Sequence, residues 1–486
     1  MDQLRFVAAG TASFSQEYTI PPFYADLTSD TSVSRLWLPL AFFKLGQRTV
    51  ISIGNRQVIH DLLEKRSRIF SSRPRLISLN ETLLRGMLPA LWQYGEKWLQ
   101  VHRFIQGILS KPVAFSPIID LESKRLLHRM SAGNWTPDLF SQFVESYTSL
   151  LAYGSRVYED HPTMRVDFLR VQSTIASGYG TGDIVADLYP ALGPLIALFP
   201  SIKKSKAIAD DFYSAVINTF QEKCALGLQA RSGNWTQYLE KSDLRKCDTD
   251  EGKFLIAELE IASTVSSSIL LSHFISICLI FPEQAKMVQD ELDQVIGITR
   301  LPTFEDQSKL PYTQAFLSEI IRVVTMLPLG VPHAATEDDV YMGYRIPENA
   351  IILANQWAVN MDPGVYKDPT TFRLQRWIEN PRLQRPAFFG FGKRICPGQA
   401  LAQNSFFITV SRVLWGYEAR QEGPKVDCKG LLTDVSWETT LIQSPKLDNV
   451  KLVVRSDQHS EVIEKEWSIV QGTEEILLDN ANKAFA

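Results

Sequence analysis

The chain has 486 residues, 45% hydrophobic and 21% charged, with glycine and proline near average; this is the composition of an ordinary folded protein with a large core, and it excludes extensive disorder. Its 50 basic and 54 acidic residues leave a formal net charge of −4 with no long block of either sign, so nucleic-acid binding has no electrostatic footprint. Five cysteines, Cys224, Cys247, Cys278, Cys396 and Cys428, show no CxxC pairing, which argues against a disulfide framework or a zinc site and for a reducing compartment.

The N-terminus "MDQLRFVAAGTASFSQ" holds no apolar run long enough for a signal peptide or membrane anchor. "TVISIG", Thr49 to Gly54, has the β-branched alternation of a strand. The most apolar run, Val265 to Phe281, carries five serines and His273, so a buried helix is expected rather than a membrane span. "PEQAKMVQDELDQVIG", Pro282 to Gly297, opens on proline, closes on glycine and places Ala285, Val288, Leu292 and Val295 on one stripe of an amphipathic helix. Leu310 to Pro328 repeats the pattern with Phe316, Ile320 and Val324; Glu319 and Arg322, three apart, share one of its sides.

Tyr341 to Asn355 reads as a hairpin turning near Pro347 to Asn349. From Pro363 to Cys396 the chain is rich in proline, arginine and aromatics without clear periodicity, and a long irregular stretch in a compact protein is usually functional. A helix follows over Ala400 to Ala419, so Cys396 sits at a loop-to-helix junction. The expected class is mainly α with small β-sheets.

Around Cys396, Gly390 and Gly392 allow positive φ and close approach of the backbone to a flat partner. A cysteine at a helix N-terminus, with Arg394 two residues before it, is favoured as thiolate. Such a thiolate serves as a nucleophile, a zinc ligand or an axial ligand to haem iron. A nucleophile needs a base, and His333, the nearest histidine in sequence, is over sixty residues away. Zinc needs more thiols or histidines than lie nearby, whereas haem needs one thiolate, a close backbone, an apolar shield and cations. A small buried hydrophobe is the competing role for a lone cysteine.

"FGFGKRICPG", Phe389 to Gly398, resembles the F-G-x-G-x-R-x-C-x-G loop of the cytochromes P-450, the haem-thiolate monooxygenases, at every defined position. Glu319–Arg322 is similar to the family's E-x-x-R helix, and "FRLQRW", Phe372 to Trp377, to its F-x-P-E-R-F segment, with Arg376 kept but Leu374 and Gln375 replacing proline and glutamate. "HDLLEKRSRIFSSRPR", His60 to Arg75, belongs to the same likeness, whose tone is that of fungal secondary-metabolite enzymes.

The resemblance implies a single large domain over residues 45–455, between an N-terminal segment 1–44 and a C-terminal tail 456–486, with haem b buried between a long distal helix and the proximal cysteine loop. It makes Cys396 the proximal iron ligand, packs Phe389 and Gly390 near the sulfur and sends Arg394 to a haem propionate. "LWQYGEKWLQVHRF" is similar to the propionate-binding helix: Trp98 matches, and His102 or Arg103 stands for its arginine. His333 is implied at the other propionate, and Glu319, Arg322 and Arg376 as a structural ion-pair cluster. Where the family reads A/G-G-x-D/E-T-T on its oxygen-activating helix, this chain has "ASTVSS", Ala262 to Ser267. Val265 replaces the acid and cannot relay a proton, which leaves the hydroxyls of Ser266 and Thr264 as catalytic candidates.

The implied function is oxidation of an apolar secondary metabolite of terpenoid, polyketide or alkaloid type. It uses O2 and electrons from NADPH through a separate NADPH-cytochrome P-450 reductase, since no Gly-rich dinucleotide motif opens a βαβ unit here. The alternative is a haem-thiolate enzyme without net oxygen insertion: an isomerase, a dehydratase or a radical-coupling enzyme. A monomer is expected, in the cytoplasm or on the cytosolic face of the endoplasmic reticulum, without a transmembrane anchor in this chain.

Overall fold

The apolar run at 265–281 is the inner half of a 31-residue helix, Asp250–Ile280, which we call the distal helix. Thr249 caps it by accepting the Gly252 N–H at 3.1 Å, and Asp250 and Glu251 occupy the first turn, where the helix dipole favours acids. At about 100° per residue the helix has two unlike faces. Ala262, Val265, Ser266 and Ile269 share a face that is open or half-buried, while Glu260, Thr264, Ser267, Ser268 and Leu271 lie opposite and are buried. Among the described residues this is the one helix long and apolar enough to cross a membrane. Leu270, Leu271, Phe274, Ile275 and Ile277 are instead buried in protein, so it is a core helix.

The computed structural model describes residues 39–133, 135–177, 200–244, 249–422 and 449–483, the short strands Arg5–Val7 and Glu17–Thr19, and positions 187, 189 and 447. Most of the expected N-terminal segment, Cys247 and Cys428 lie outside the described residues. Cys224, Cys278 and Cys396 are free thiols.

Packed against the distal helix are Asp138–Tyr153, which is buried on nearly every side, Pro200–Gln229, and Gln399–Gly416, the helix that follows the cysteine loop. Phe140, Tyr147, Leu151, Phe274, Phe316, Ile320, Phe407 and Trp415 belong to one apolar cluster filling the space between these helices. At about 1.5–3 kcal/mol for each large side chain removed from water, this cluster is the main source of stability. The helix Pro282–Val295 has the expected stripe through Ala285, Val288 and Leu292; Val295 departs from it at 37% exposure, because the helix ends there and Gly297 reverses the chain at φ 72°. Phe316 and Ile320 are buried on Pro311–Val323, which stops five residues before Pro328.

Thr49 to Gly54 falls within the strand Arg48–Ile53. This strand joins a four-stranded sheet in the order Ala41–Leu45, Arg48–Ile53, Ile351–Ala354, His333–Ala334. The hairpin expected at Pro347 to Asn349 is corrected. The paired strands are Asp339–Tyr341 and Tyr344–Ile346, turning through Met342 and Gly343 at φ 52° and 80°, while Ile351–Ala354 runs parallel to Arg48–Ile53. Two positive φ values suit the twist of a tight hairpin, and methionine at the first is an unusual carrier of that turn.

Beyond residue 455 the chain forms the helices Asp457–Val470 and Glu474–Lys483, which pack on Pro112–Ser131. Ile463 is buried there, and Trp467 stacks on His128 with ring centroids 5.5 Å apart.

Candidate active site

Phe389 to Gly398 forms a tight loop closed by the Cys396 N–H donating to the Phe389 carbonyl at 2.7 Å. Gly390 and Gly392 take positive φ, 77° and 59°. A Cβ at Gly392 would lie 2.0 Å from the Leu63 carbonyl oxygen, so no larger residue fits without moving backbone. Phe391, buried, plugs the loop into the apolar cluster of the sheet beside Leu62, Phe70 and Ile352. Cys396 precedes the first residue of the helix Gln399–Gly416 by three positions. Its side chain is exposed, yet crowding by protein atoms pushes the thiol up from its ordinary range, opposed by the Gly398 backbone N–H. A metal ion deprotonates a coordinating thiol outright.

A buried carboxylate anchors the segment leading into this loop. Glu319 Oε1 accepts from Arg322 Nη2 at 2.7 Å, Arg376 Nε at 3.0 Å and the Arg373 N–H at 3.0 Å; Oε2 accepts from Arg322 Nε and Trp377 Nε1, both at 2.9 Å. The remaining guanidinium donors meet carbonyls: Arg322 those of Asn360 and Pro369, Arg376 those of Lys367, Asp368 and Thr371. Asn360 in turn pairs with both backbone groups of Ala387, at 2.8 and 2.7 Å, two residues before Phe389. Glu319, Arg322 and Arg376 thus meet as the sequence suggested, joined by Trp377, on the final aromatic position of the matched segment, and by Asn360, which no motif position marked.

A second cluster gathers cations. Arg394 donates from Nε to the Ser71 carbonyl at 2.8 Å and from Nη2 to the Trp92 carbonyl at 2.6 Å, and lies 4.0 Å over the Trp98 ring. His102 stacks on Trp98 at 4.4 Å. Arg103 does not join them: it is 68% exposed with Glu96 as its distant partner, which corrects its candidacy in favour of His102. The Ser72–Ala334 bridge sets Arg73 against the edge of the sheet, where its guanidinium donates to the Ala90, Val331 and Pro332 carbonyls. His333, buried, meets the Phe70 carbonyl through Nδ1 at 2.8 Å, so Nδ1 carries the proton and Nε2 is the remaining site.

Burial lowers each of these groups, and a neighbouring guanidinium lowers all but Arg394 further. Arg73 is drawn down to about 9 by burial and by Arg394, Arg394 to about 10 by burial, and His333 to about 3 by burial and by Arg73. Burial and Arg394 also lower His102. The counter-charge within reach of Arg73 and Arg394 is Glu258, on the distal helix. Its Oε1 accepts the Ala90 N–H at 2.9 Å, its Oε2 is buried without a partner, and burial raises it to about 7. Neither Arg73 nor Glu258 was singled out in the sequence. Arg73 lies inside the quoted "FSSRPR", but only the bridge to Ala334 shows where it points.

On its open or half-buried face the distal helix presents Ala262, Val265, Ser266 and Ile269. The Ser266 hydroxyl is half-exposed and donates to the Ala262 carbonyl at 2.8 Å. Thr264 lies on the opposite side at 2% exposure, so of the two expected hydroxyls Ser266 alone shares the open face.

The sequence profile of the family described as "Cytochrome P450" matches residues 31–441. The chain belongs to the cytochrome P450 family. It is 35% identical over 398 residues to the cytochrome P450 monooxygenase peniB of Penicillium patulum, covering 80% of this chain and 74% of that one. It is 34% identical over 441 residues to the cytochrome P450 monooxygenase criE of Aspergillus cristatus, covering 89% and 81%. A zebra fish cytochrome P450 solved with abiraterone superposes with a TM-score of 0.70 at 21% identity, over 87% of this chain and 98% of that one, which establishes the fold. This P450 is accordingly a monooxygenase of secondary metabolism with a cysteine-ligated haem iron, dependent on O2 and a redox partner.

The residues fit haem. One thiol faces the open side of a loop whose glycines let backbone come close, and the cation cluster carries more buried positive charge than Glu258 balances. Two carboxylates would meet that excess, and one placed at His333 Nε2 would draw a proton onto the ring.

Proposed function

We propose that this P450 oxidises an apolar secondary metabolite of terpenoid, polyketide or alkaloid type, with electrons from NADPH passed by a separate reductase, as a monomer in the cytoplasm or on the cytosolic face of the endoplasmic reticulum. The observation that carries the chemistry is the Cys396 loop, whose glycines at positive φ bring backbone close beside an exposed free thiol. When bound, haem supplies the activation of dioxygen, and an axial thiolate favours cleavage of the O–O bond.

Cys396 would hold the haem iron, with Phe389, Gly390 and Gly392 shaping the backbone around its sulfur. Arg394, Arg73, His333 and the Trp98–His102 stack would receive the propionates and offset their charge. Glu319, Arg322 and Arg376 fix the chain ahead of the loop, so that the sulfur is held in one place before the cofactor arrives. Ala262, Val265 and Ile269 make the distal wall apolar, which supports an apolar substrate and excludes bulk water. Ser266 offers that wall a hydroxyl able to accept and donate one hydrogen bond, and Val265 beside it moves no proton.

The reduced, carbonylated protein should give the absorption band of a thiolate-ligated haem, and Cys396→Ala should lose it. A variant that keeps haem and an unaltered band would remove Cys396 from the iron. The distal segment "ASTVSS" favours a second reading, an isomerase, dehydratase or radical-coupling enzyme without oxygen insertion. Labelled dioxygen decides between the two, since only a monooxygenase places the label in product.

A further inference from the structure

Glu258, Ile261, Ala262, Val265, Ser266 and Ile269, all half-buried or exposed, recur at three- and four-residue intervals, so they form one stripe of the distal helix. Four of them are apolar, and the Ser266 hydroxyl is turned back to the Ala262 carbonyl. Glu258 is the ionisable side chain of the stripe. Next to it, Ile261 packs against the apolar cluster that holds Leu83, Leu84 and Leu91. Glu258 is tied to that same segment by the Ala90 N–H at 2.9 Å. A carboxyl group therefore stands at the edge of an apolar surface to which the helix and the segment before the cation cluster both contribute.

Other acids in the interior are complete. Glu122, Glu145, Glu260, Asp306 and Glu319 are buried and each meets an ammonium or a guanidinium. Glu291, also buried, accepts the Tyr312 and Thr313 N–H groups and the Thr313 hydroxyl. Glu258 accepts one backbone N–H, and its Oε2 has no partner. Arg73 and Arg394 are near enough to act on its charge, yet their hydrogen bonds go to the carbonyls of Ala90, Val331 and Pro332 and of Ser71 and Trp92. Haem propionates would take up the charge of those two guanidiniums, which leaves Glu258 as a third acid with nothing to offset it. A metal ion would need further ligands, and among the described residues no group of three His, Cys, Asp or Glu side chains could hold one. A carboxyl left in this state takes a proton or meets a cation.

We propose that Glu258 selects the substrate by anchoring a cationic nitrogen, so that the molecule oxidised is an apolar amine of alkaloid type. The inference rests on the P450 reading of the site and narrows its three substrate classes to one. A protonated amine brings both a donor for the unpartnered oxygen and the charge that the carboxylate lacks. Its carbon skeleton covers Ile261, Ala262, Val265 and Ile269, whose side chains offer no hydrogen bond and gain by losing water. A neutral terpenoid or polyketide of the same shape would cover them equally well but would strand the acid, and that difference is the selectivity.

The test uses the holoprotein, first shown to give the thiolate-type carbonyl band. Quaternary ammonium compounds bearing phenyl, indolyl or prenyl groups are each compared with the neutral carbon isostere, and equilibrium dialysis gives the dissociation constants. At least one cation should bind about ten- to hundredfold more tightly than its isostere, the worth of one close unlike charge held away from bulk water. Glu258→Gln should bring that ratio to about one and leave the affinity of the isostere within about threefold. Should this variant fail to take up haem, a crystal structure of the unmodified holoprotein with the tightest cation decides, and the nitrogen should lie against the Glu258 carboxyl. Equal affinities in every pair, a preference that survives Glu258→Gln, or a nitrogen seated elsewhere overturns the anchor and leaves the P450 reading intact. Absence of the carbonyl band from the unmodified protein overturns both.

Discussion

Two buried charge clusters flank the cysteine loop, and they differ in whether the protein completes them. Around Glu319 one acid faces two guanidiniums, an indole N–H and a backbone N–H, and the spare guanidinium donors end on carbonyls. Around Arg394 and Arg73 there are likewise two guanidiniums to one acid, but Glu258 accepts only the Ala90 N–H, its Oε2 lacks a partner, and Arg394 lowers Arg73. The first cluster is closed and builds a scaffold. The second is in balance only when something anionic is brought to it, which is what a cofactor site requires. Burying a charge is tolerable when it is paired, so a cluster left unpaired inside a well-packed protein points to a ligand.

The comparison breaks first at the closed cluster. Glu319→Gln leaves Arg322 and Arg376 buried without a counter-charge and should cost about 3–5 kcal/mol, seen as a lower thermal midpoint and protein recovered without haem. Unchanged stability would mean that the carbonyls alone suffice.

A pH titration sharpens the contrast next. Burial raises Glu258 from its ordinary 4.5 to about 7, so between these values the folded chain holds a proton that the unfolded chain has released. Stability should therefore fall as pH rises through that window, by at most about 3 kcal/mol, and Glu258→Gln should flatten the fall. Chemical denaturation at several pH values measures it; a parallel decline in the variant would assign the slope to other groups.

Arg394→Met probes the open cluster directly. Losing a charge-assisted bond of about 1.5–3 kcal/mol should weaken haem retention about ten- to hundredfold, followed by transfer to an acceptor protein. Arg73→Met should act in the same direction. Retention at the wild-type level in both would mean that the cations serve only the carbonyls they touch. The smallest effect is expected at Arg103, which faces solvent. Arg103→Ala should change stability by no more than about 0.5 kcal/mol and leave haem content alone.

Much of the closed cluster was legible beforehand, because Glu319 and Arg322 are three residues apart on one helix and Arg376 lies in a recognisable segment. The bond from the Trp377 indole and the part of Asn360 were not, since nothing local distinguishes an indole or amide that donates across a fold from one that does not. The open cluster was half legible. Arg394, Trp98, His102 and His333 stood on motif positions, whereas Arg73 and Glu258 are placed by the Ser72–Ala334 bridge and by the Ala90 backbone. The hairpin misplaced at Pro347 failed for a similar reason: Met342 carries a left-handed turn that its side chain does not advertise, and Ile351–Ala354 finds its partner some three hundred residues back.

By itself the sequence determined the mainly helical class, the loop around Cys396 and the family, because helical period, glycine punctuation and motif spacing are properties of neighbouring residues. Which face of the distal helix each hydroxyl takes, which cations converge and which stay in solvent, and where buried polar atoms lack partners were decided by the tertiary structure. These depend on contacts between segments far apart in the chain, and desolvation, which sets the strength of every such contact, exists only once the segments have packed.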